Sequence, residues 1–422
     1  GTLQIRSLET HPVAVTGKVF NVARADGLFG TSLASFRSDR GASGSQRVVL
    51  PGIRGEGADS TRFFVQEVSG ITTAARTEIL DATGGVLLSR TDDLEPFAMR
   101  ELAIAVPPGA VTAVVTNTGA GRVIARALLS DAGSGDITDL VDWTIRNAIG
   151  PTEPQLIPIL DRGAGSRQTE LIIANRGPET LRGTLSSFSS GPGRRRAVAH
   201  GSGGGGFPFR TGWNAVRTPA RPDAAVEIDL PAGQTRVLAD ALAELGAPGA
   251  SHLVFTPAAG SGSITARTQR TFAGGGVFRT ALPVVSSGVA MRLGETREFG
   301  GIESAGRTAS DARQVSSFGS SLTLVETAGQ QAVVRVTLQF TPAIASGLVS
   351  LRGQAKKDYT LEANKLLQIA DIAAEIIGPS RGQFGDLRNM QIDVSVVSGQ
   401  GAVVPILTER ENATGDLIVR LE

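Results

Sequence analysis

The chain contains no cysteine, three histidines, one tyrosine and two tryptophans among its 422 residues. Without cysteine, a disulfide, a thiolate metal site and a cysteine nucleophile are all excluded. The histidines, His11, His200 and His252, lie far apart and have no second histidine or acid at ligand spacing, which disfavours a metal or catalytic role. His252 opens an apolar strand, so we expect it at a surface or rim. The scarcity of tyrosine and tryptophan also disfavours a flat aromatic platform for sugars.

An excess of charge of one sign is lacking as well. The 41 Lys and Arg residues against 40 Asp and Glu give a net charge of +1, so no strong field attracts nucleic acid or an anionic membrane. No apolar run reaches the roughly 18 residues that span a bilayer. No G-x-S-x-G nucleophile motif occurs, and Gly201–Gly206 matches a nucleotide-binding glycine pattern only formally, in a low-complexity loop. We therefore predict no catalytic residues, no cofactor and no enzymatic activity.

Short apolar runs separated by Gly, Pro, Asp and Ser make up most of the chain, which has 53 glycines and is 41% hydrophobic. Residues 332–340 alternate strictly, with Val334, Val336 and Leu338 on one side, as in a half-buried strand. This pattern predicts an all-β protein built from tandem immunoglobulin-like antiparallel β-sandwiches.

Two stretches depart from the β pattern. In Leu230–Gly246, Pro231 and Gly233 predict a turn, and a short helix follows that stops at Gly246. The helix would place four apolar residues on one face: Val237, Leu238, Leu242 and Leu245. Residues 361–378 repeat this unit, so we expect one short helix in each of the last two domains.

The apolar runs restart with a period of about 110–130 residues, which is too long for a solenoid repeat and fits sandwich domains. We divide the chain into an orphan hairpin segment at 1–46, a sandwich at 47–150, a sandwich with a short helix and a long Gly/Arg loop at 151–286, and a sandwich with a short helix at 287–422. The first sandwich lacks the helix because prolines occupy the corresponding stretch.

Two motifs suggest a family likeness: the strand Thr169-Glu-Leu-Ile-Ile-Ala-Asn175, and the segment Leu230–Asp240 with leucines and a glycine before a helix. The pattern resembles tandem β-sandwich modules near the C-termini of large secreted bacterial proteins. The resemblance implies an extracellular or cell-surface location and no catalytic residues.

Residues 1–46 read as the back half of a sandwich without its front half. A strand pair alone leaves backbone groups and one-sided apolar residues uncovered. We expect it to complete a sheet of another domain, in the same chain or a neighbour, by strand addition. Gly1 marks either a processed N terminus or the start of a fragment. The assembly candidates are Leu3, Ile5, Val13, Val15, Val19 and Phe20.

Two further groups are candidate sites. The loop 189–222 carries charged and aromatic residues that form either a contact surface or a lid on the sandwich. Its candidates are Arg194, Arg195, Arg196, Phe207, Phe209 and Trp213. Asp131, Asp136 and Asp139 offer oxygen ligands for calcium, but their spacing is not that of an EF-hand, and a solvated acidic turn is the favoured interpretation.

These observations favour a non-enzymatic extracellular structural module that builds a rod-like or filamentous assembly through end-to-end contacts, with strand addition by the N-terminal segment. The expected partners are further copies of the chain or neighbouring domains. The alternative is an adhesin or the substrate-targeting region of a larger secreted protein, with a glycan or surface ligand.

Overall fold

A computed structural model describes residues 5, 17–21, 29–57, 59–160, 167–189, 222–247, 250–271, 277–304, 318–342, 353–384, 387–411 and 417–421. These residues form a two-stranded hairpin and three β-sandwiches. The hairpin consists of β1 (Gly17–Asn21) and β2 (Phe29–Leu33). A 3-10 turn (Ser38–Arg40) and the two-residue strand β3 (Ala42–Ser43) lead into the first sandwich.

The first sandwich has eight main strands in two sheets, ordered β4-β9-β6-β7 and β11-β10-β5-β8. The strands are β4 (Arg47–Pro51), β5 (Asp59–Glu67), β6 (Thr73–Asp81), β7 (Val86–Leu94), β8 (Met99–Leu102), β9 (Ala110–Asn117), β10 (Arg122–Asp131) and β11 (Ile137–Val141). A one-turn helix, α1 (Trp143–Arg146), follows the last strand, where the sequence predicted none. It forms because the side chain of Asp142 accepts hydrogen bonds from the Thr144 and Ile145 amides and caps the turn.

The second sandwich repeats this order, with sheets β12-β17-β14-β15 and β16-β13-β18-β19. Its elements are β12 (Gln155–Pro158), β13 (Arg167–Asn175), β14 (Leu181–Ser189), β15 (Ala224–Leu230), β16 (Thr235–Leu238), α2 (Ala241–Glu244), β17 (Ala250–Ala259), β18 (Gly262–Thr271) and β19 (Val277–Leu282).

The third sandwich follows a 3-10 turn (Ser287–Val289) and has sheets β20-β25-β22-β23 and β24-β21-β26-β27. Its elements are β20 (Thr296–Ser304), β21 (Phe318–Glu326), β22 (Ala332–Pro342), β23 (Gly353–Leu361), β24 (Leu366–Ile369), α3 (Ile372–Ile377), a 3-10 helix (Gly378–Gln383), β25 (Leu387–Gly399), β26 (Val403–Glu411) and β27 (Leu417–Arg420).

The three sandwiches share one topology. With the eight strands of each lettered a to h in chain order, every sandwich has one sheet a-f-c-d and one sheet e-b-g-h, and all pairs are antiparallel. This confirms the predicted all-β class of tandem sandwiches. The likeness to immunoglobulin domains lies in the two facing antiparallel sheets, since the strand order is not the ABED/CFG order of constant domains.

The core of each sandwich is built by alternation along the strands. In β22, Val334, Val336 and Leu338 are fully buried between the sheets, as the sequence predicted, while the residues between them are only partly buried. Three large apolar clusters fill the three sandwiches. The one around the second sandwich also takes in Ala402, Val404 and Ile406 of the third, so these two cores are continuous.

The predicted helices are shorter than expected. Val237 and Leu238 belong to strand β16, which pairs with β13, and α2 begins only after Asp240. The reason is capping, because Asp240 accepts a hydrogen bond from the Ala243 amide and fixes the first turn there. Gly246 has φ +64°, so the glycine stop is confirmed. Likewise, α3 begins after Asp371 and ends at Gly378, which has φ +71°.

The turn after strand b is held in the same way in all three sandwiches. The last residue of the strand, Glu67, Asn175 or Glu326, accepts hydrogen bonds from the amide two residues later, at 2.7, 2.9 and 2.8 Å. Glu67 and Glu326 also accept from the turn before strand e, through the amides of Phe97 and Asn364. The final position of the motif Thr169–Asn175, and of its counterparts in the other two sandwiches, therefore supplies a buried turn acceptor.

The turn before strand e has a left-handed residue at its third position in every sandwich. Gly233 (φ +73°) fills it in the second, whereas Phe97 (φ +58°) and Asn364 (φ +53°) fill it in the others. A glycine avoids the steric cost of this conformation, and asparagine tolerates it better than phenylalanine. The backbone requirement is thus conserved within the molecule although the residue type is not.

The pH dependence of folding tests the role of Glu67. Burial disfavours its charge, but hydrogen bonds from Phe97, Ser69 and Gly70 outweigh burial and lower the pKa of Glu67 to about 2. A lowered pKa stabilises the fold above the ordinary carboxyl pKa, and this stability is lost as the pH falls from about 4.5 toward 2. We expect Glu67→Gln to reduce the free energy of unfolding by about 2 kcal/mol at pH 7 and by less at pH 3.

Denaturant unfolding at the two pH values measures this difference. The exposed Glu244 of α2 supplies the matched control, Glu244→Gln, which should change little at either pH. An equal loss at pH 7 and pH 3 in Glu67→Gln would show that the ionised carboxylate is not what holds the turn.

Candidate functional site

The last strands of the three sandwiches and strand β2 of the hairpin come together at one place. Strand β2 contacts β11 and β27, and β19 contacts the same two strands, so the four form a ring in the order β2-β11-β19-β27. We call this ring the four-strand junction. It encloses a cleft lined by Thr31, Ser32, Leu33, Ala34, Ser35, Asp139, Val141, Trp143, Arg146, Thr280, Ala281, Pro283, Leu417, Val419, Arg420 and Leu421.

The topology explains why these strands meet. Strand h lies at the edge of its sheet in every sandwich, next to strand g. An edge strand has one row of backbone groups without a partner in the sheet, and such edges are normally covered. At the junction each h strand packs against two neighbours, so three sandwiches and the hairpin cover one another's edges.

Glu409 of β26 anchors the hairpin to the third sandwich. Its side chain is fully buried and lies 2.7 Å from Lys18 Nζ of β1 and 3.6 Å from Arg420 NH1 of β27. The ammonium of Lys18 also lies 5.9 Å from the ring centre of Phe318. Moving a carboxylate out of water is costly unless cations compensate it, and here Lys18 of the hairpin shares this role with Arg420.

Asp139 of β11 anchors the segment after β2 to the first sandwich. Its Oδ2 accepts a hydrogen bond from the Ala34 amide at 3.0 Å, and Arg126 NH2 lies 3.8 Å from the same oxygen. Arg126 also donates to the Ala34 carbonyl. Burial raises the pKa of Asp139 despite the nearby guanidinium. The carboxyl group of Asp139 therefore holds the backbone at Ala34, but its ionised form is less favourable in this buried position than it would be in water.

Arg146 of α1 links three parts of the chain. It donates from Nε to the Ser35 carbonyl at 3.1 Å and from NH2 to the Leu421 carbonyl at 3.1 Å. Its guanidinium lies 5.2 Å from the ring centre of Trp143. The first and third sandwiches are therefore joined directly, in addition to the contacts that each makes with the second.

The interface between the first and second sandwiches contains buried charges. Arg267 and Glu170, which are 0% and 1% exposed, form an ion pair, and Arg267 also donates to the Gly52 carbonyl of the first sandwich at 3.3 Å. Arg54 of the first sandwich bonds the other oxygen of Glu170. Burial lowers the pKa of Arg267, and the charge of Glu170 opposes this.

A second buried pair lies beside the first. Arg279 of β19 donates to both carboxylate oxygens of Asp59 in β5, at 2.7 and 3.1 Å. Asp142 forms a third link, because it accepts from the Val49 amide at 2.8 Å and lies 3.2 Å from Arg176 of the second sandwich. These contacts fix the register of one sandwich on the other.

The predicted solvated acidic turn is wrong. Asp131, Asp136 and Asp139 are 5%, 3% and 5% exposed, because the second sandwich and the segment after β2 cover them. Asp131 accepts from the Val277 amide at 3.4 Å, and Asp136 accepts from the Arg279 amide at 2.6 Å. Among the residues that the structure describes, no group of three His, Cys, Asp or Glu side chains has the arrangement of a metal site.

The other predicted site residues are only partly described. Ile5 is 47% exposed, Val19 is half-buried in β1, and Phe20 lies in β1 with its side chain outside the described residues. Outside the described residues lie Leu3, Val13, Val15, Arg194, Arg195, Arg196, Phe207, Phe209 and Trp213.

His252, expected at a surface or rim, is 2% exposed and stacks on Phe188 with ring centres 5.0 Å apart. The expectation is wrong because His252 is the third residue of β17, and β12 and β14 flank this strand on both sides.

Sequence reasoning missed the buried ion pairs. The signal was a charged residue inside an otherwise apolar strand, such as Glu170 between Thr169 and Leu171. Charged side chains are almost never fully buried without a partner, so each such residue predicts an unseen counter-charge. The partner was out of reach, because Arg267 lies in another strand of the same sandwich and Arg54 in another sandwich.

No protein-family model matches the chain, and no curated protein matches it. Among solved structures, Streptomyces avermitilis α-L-rhamnosidase complexed with L-rhamnose aligns with the chain at 12% identity and a TM-score of 0.12. The alignment covers 92% of this chain and 46% of that enzyme, so the chain spans less than half of its length. A likeness at this level carries no argument about fold or activity. The described part of the chain contains no helix that is long and apolar enough to cross a membrane.

Removing the charge of Glu409 tests how the hairpin is held. Glu409→Gln leaves Lys18 and Arg420 without their buried carboxylate, so we expect the free energy of unfolding to fall by about 3 kcal/mol. The double variant Lys18→Met/Glu409→Gln removes one stranded cation and should recover part of this loss. Arg335→Gln, which breaks the exposed pair with Asp358, is the control and should cost less than about 1 kcal/mol. Additive single effects in the double-mutant cycle would contradict the pairing.

A separate pH measurement tests Asp139. Because burial raises its pKa, the folded protein binds this proton more tightly than the unfolded chain does. The stability it contributes is present below the ordinary carboxyl pKa and is lost as the pH rises through the raised value. Asparagine cannot ionise, so the variant Asp139→Asn does not lose this stability when the pH rises. We therefore expect the unfolding free energy of the variant to fall less between pH 4 and pH 7 than that of the wild type. Identical pH dependence in both proteins, with exposed Asp223→Asn as the reference, would refute this.

Proposed function

We propose that the chain is a non-enzymatic structural segment of an extracellular or cell-surface assembly, and that its N-terminal hairpin is the point of attachment to the next domain. The observation that carries the proposal is the place of β2, which fills the fourth position in the four-strand junction beside the three h strands. The extracellular location rests on the family resemblance of the repeated motifs.

The hairpin has the form of the g and h strands of a sandwich. The pairs β10–β11, β18–β19 and β26–β27 are antiparallel hairpins with short connections at 132–136, 272–276 and 412–416. The pair β1–β2 is antiparallel with a connection at 22–28, and its last strand packs where the other h strands pack. The hairpin is thus equivalent in position to the closing pair of a fourth sandwich.

On the basis of this equivalence, we assign strand addition to the outer edge of β1. In the three complete sandwiches, strand g pairs with h on one side and with b on the other. Among the described residues, β1 pairs with β2 alone. Its other edge corresponds to the place of a b strand, such as β5, β13 or β21. A neighbouring polypeptide that supplied strands a to f would complete the fourth sandwich by main-chain hydrogen bonds.

The contacts among the three sandwiches also determine the shape of the unit that would assemble. The second sandwich contacts both others, and Arg146 joins the first to the third, so the three sandwiches close around the junction rather than lie in a row. A rod-like or filamentous assembly would therefore repeat this closed unit. Buried ion pairs within the unit favour a rigid body that transmits position from one neighbour to the next.

Particle size before and after removal of the hairpin tests the proposal. Sedimentation velocity and negative-stain images of residues 1–422 should show end-to-end association, and deletion of residues 1–36 should abolish it. Circular dichroism and thermal unfolding of the deletion variant should still show cooperatively folded β-sandwiches. Unchanged association after the deletion, or compact monomers from the full chain, would overturn the assembly proposal.

A second candidate is an adhesin or substrate-targeting region of a larger secreted protein. One observation favours it: an open groove between the first and second sandwiches is lined by four arginines. Compact monomers with a ligand in this groove would be the result expected for that function.

A further inference from the structure

An open groove runs along the boundary between the first sandwich, the segment that leads into it, and the turn after β13. We call it the arginine groove. It has a volume of about 670 Å³, which lies within the range of sites for small organic ligands. Its lining includes Asp39 and the four arginines Arg40, Arg47, Arg122 and Arg176.

The groove has an excess of positive charge. Four arginines line it, and the acid among its lining residues is Asp39, whose carboxylate is occupied by Arg37 through hydrogen bonds of 3.0 and 2.7 Å. Arg176 pairs with the buried Asp142. Within the described parts of the chain, no carboxylate lies within 4.0 Å of a side-chain nitrogen of Arg40, Arg47 or Arg122. Three guanidinium groups are therefore available to a ligand.

Backbone carbonyls hold two of these arginines in place. Arg47 donates from NH1 to the Arg176 carbonyl at 3.1 Å, and Arg122 donates from NH1 to the Asp39 carbonyl at 2.9 Å. A guanidinium has five N–H donors, so each keeps donors for a ligand. Burial lowers the pKa of Arg47; among the nearby charges, Glu78 opposes this and Arg176 acts with it. A bound anion would relieve this unfavourable environment.

The remaining lining residues indicate the kind of ligand. Ser43, Ser45 and Gln46 supply hydroxyl and amide groups, which suit hydrogen bonding to a hydroxylated ligand. The hydroxyl of Thr144 is already engaged by Asp142 and Arg176. Among the residues that the structure describes, the lining contains no aromatic residue, so these residues offer neither bases nor neutral sugar rings a stacking surface. The volume exceeds what a single small oxyanion needs. A ligand that pairs with all three guanidinium groups would carry several anionic oxygen groups along one hydroxylated molecule.

We propose that the arginine groove binds an acidic oligosaccharide, whose carboxylate or sulfate groups pair with Arg40, Arg47 and Arg122. Guanidinium groups bind planar oxyanions through two parallel hydrogen bonds, which makes arginine suited to this contact. Carboxylated and sulfated sugars share this chemistry, and the two are separated by experiment. The inference gives the second candidate function its ligand class, and it does not depend on the hairpin.

Calorimetric titration of residues 1–422 tests the proposal with defined probes. The acidic probes are hexagalacturonate and a heparin-derived hexasaccharide, and the comparison probes are maltohexaose, hexaglutamate and inorganic sulfate. We expect at least one acidic hexasaccharide to bind more tightly than hexaglutamate and sulfate, and maltohexaose not to bind. Binding should weaken as salt rises from 50 to 300 mM, because the groove is open to solvent and salt screens charges there.

Three variants assign the binding to the groove. Arg47→Gln/Arg122→Gln keeps a hydrogen-bond donor at both positions and should weaken binding by about tenfold or more. Arg40→Glu changes an exposed residue of the Ser38–Arg40 turn, so it leaves the fold intact and should also weaken binding. Arg335→Gln removes a cation from the third sandwich and should bind as the wild type does.

Several results would overturn the proposal. These are the absence of binding by both acidic hexasaccharides at millimolar concentration, equal or tighter binding of hexaglutamate, and unchanged affinity in Arg40→Glu together with the double variant. Equal binding by sulfate alone would reduce the groove to a site for a simple anion. None of these results affects the sedimentation experiment that compares the full chain with the chain lacking residues 1–36. The assembly proposal is therefore tested independently of the arginine groove.

Discussion

Everything in this molecule depends on covering the outer edges of the h strands. A sheet edge with free amide and carbonyl groups is open to unwanted pairing, and the last strand of each sandwich lies at such an edge. The protein covers them together: β11, β19 and β27 pack around one point, and β2 takes the remaining place. The relative positions of the sandwiches follow from this ring, since an edge can be covered by its neighbour in few ways.

Buried charges make that arrangement specific. An apolar interface tolerates sliding, whereas Glu170, Arg267 and Glu409 must each meet a particular counter-charge or remain unpaired in a dry environment. Such pairs add little net stability compared with apolar packing, but misplacement of one is costly. We interpret them as the reason why the first and second sandwiches adopt one register. Between the second and third sandwiches, the contact is mainly a continuous apolar cluster.

The sequence predicts the strands and their repetition well, because alternation is a local property that burial between two sheets enforces. The turn acceptors were visible as part of a motif in Asn175, but Glu67 and Glu326 fill the same position with a different residue. The turn before β8 was also hard to recognise, because Phe97 adopts there the left-handed conformation that Gly233 adopts in the second sandwich. The acids Asp131 and Asp136 were misjudged because the strand that buries them, β19, is far away in sequence.

The bond between Lys18 and Glu409 joins two residues that are separated by the three sandwiches in sequence. During synthesis, the hairpin is therefore made before the sandwiches, whereas the carboxylate that it packs against and the strand β27 beside it are made after most of the third sandwich. The hairpin must wait until all three sandwiches have been made before its binding place exists. Loss of β27 would therefore release β1 and β2, so a change in the third sandwich would reach the hairpin.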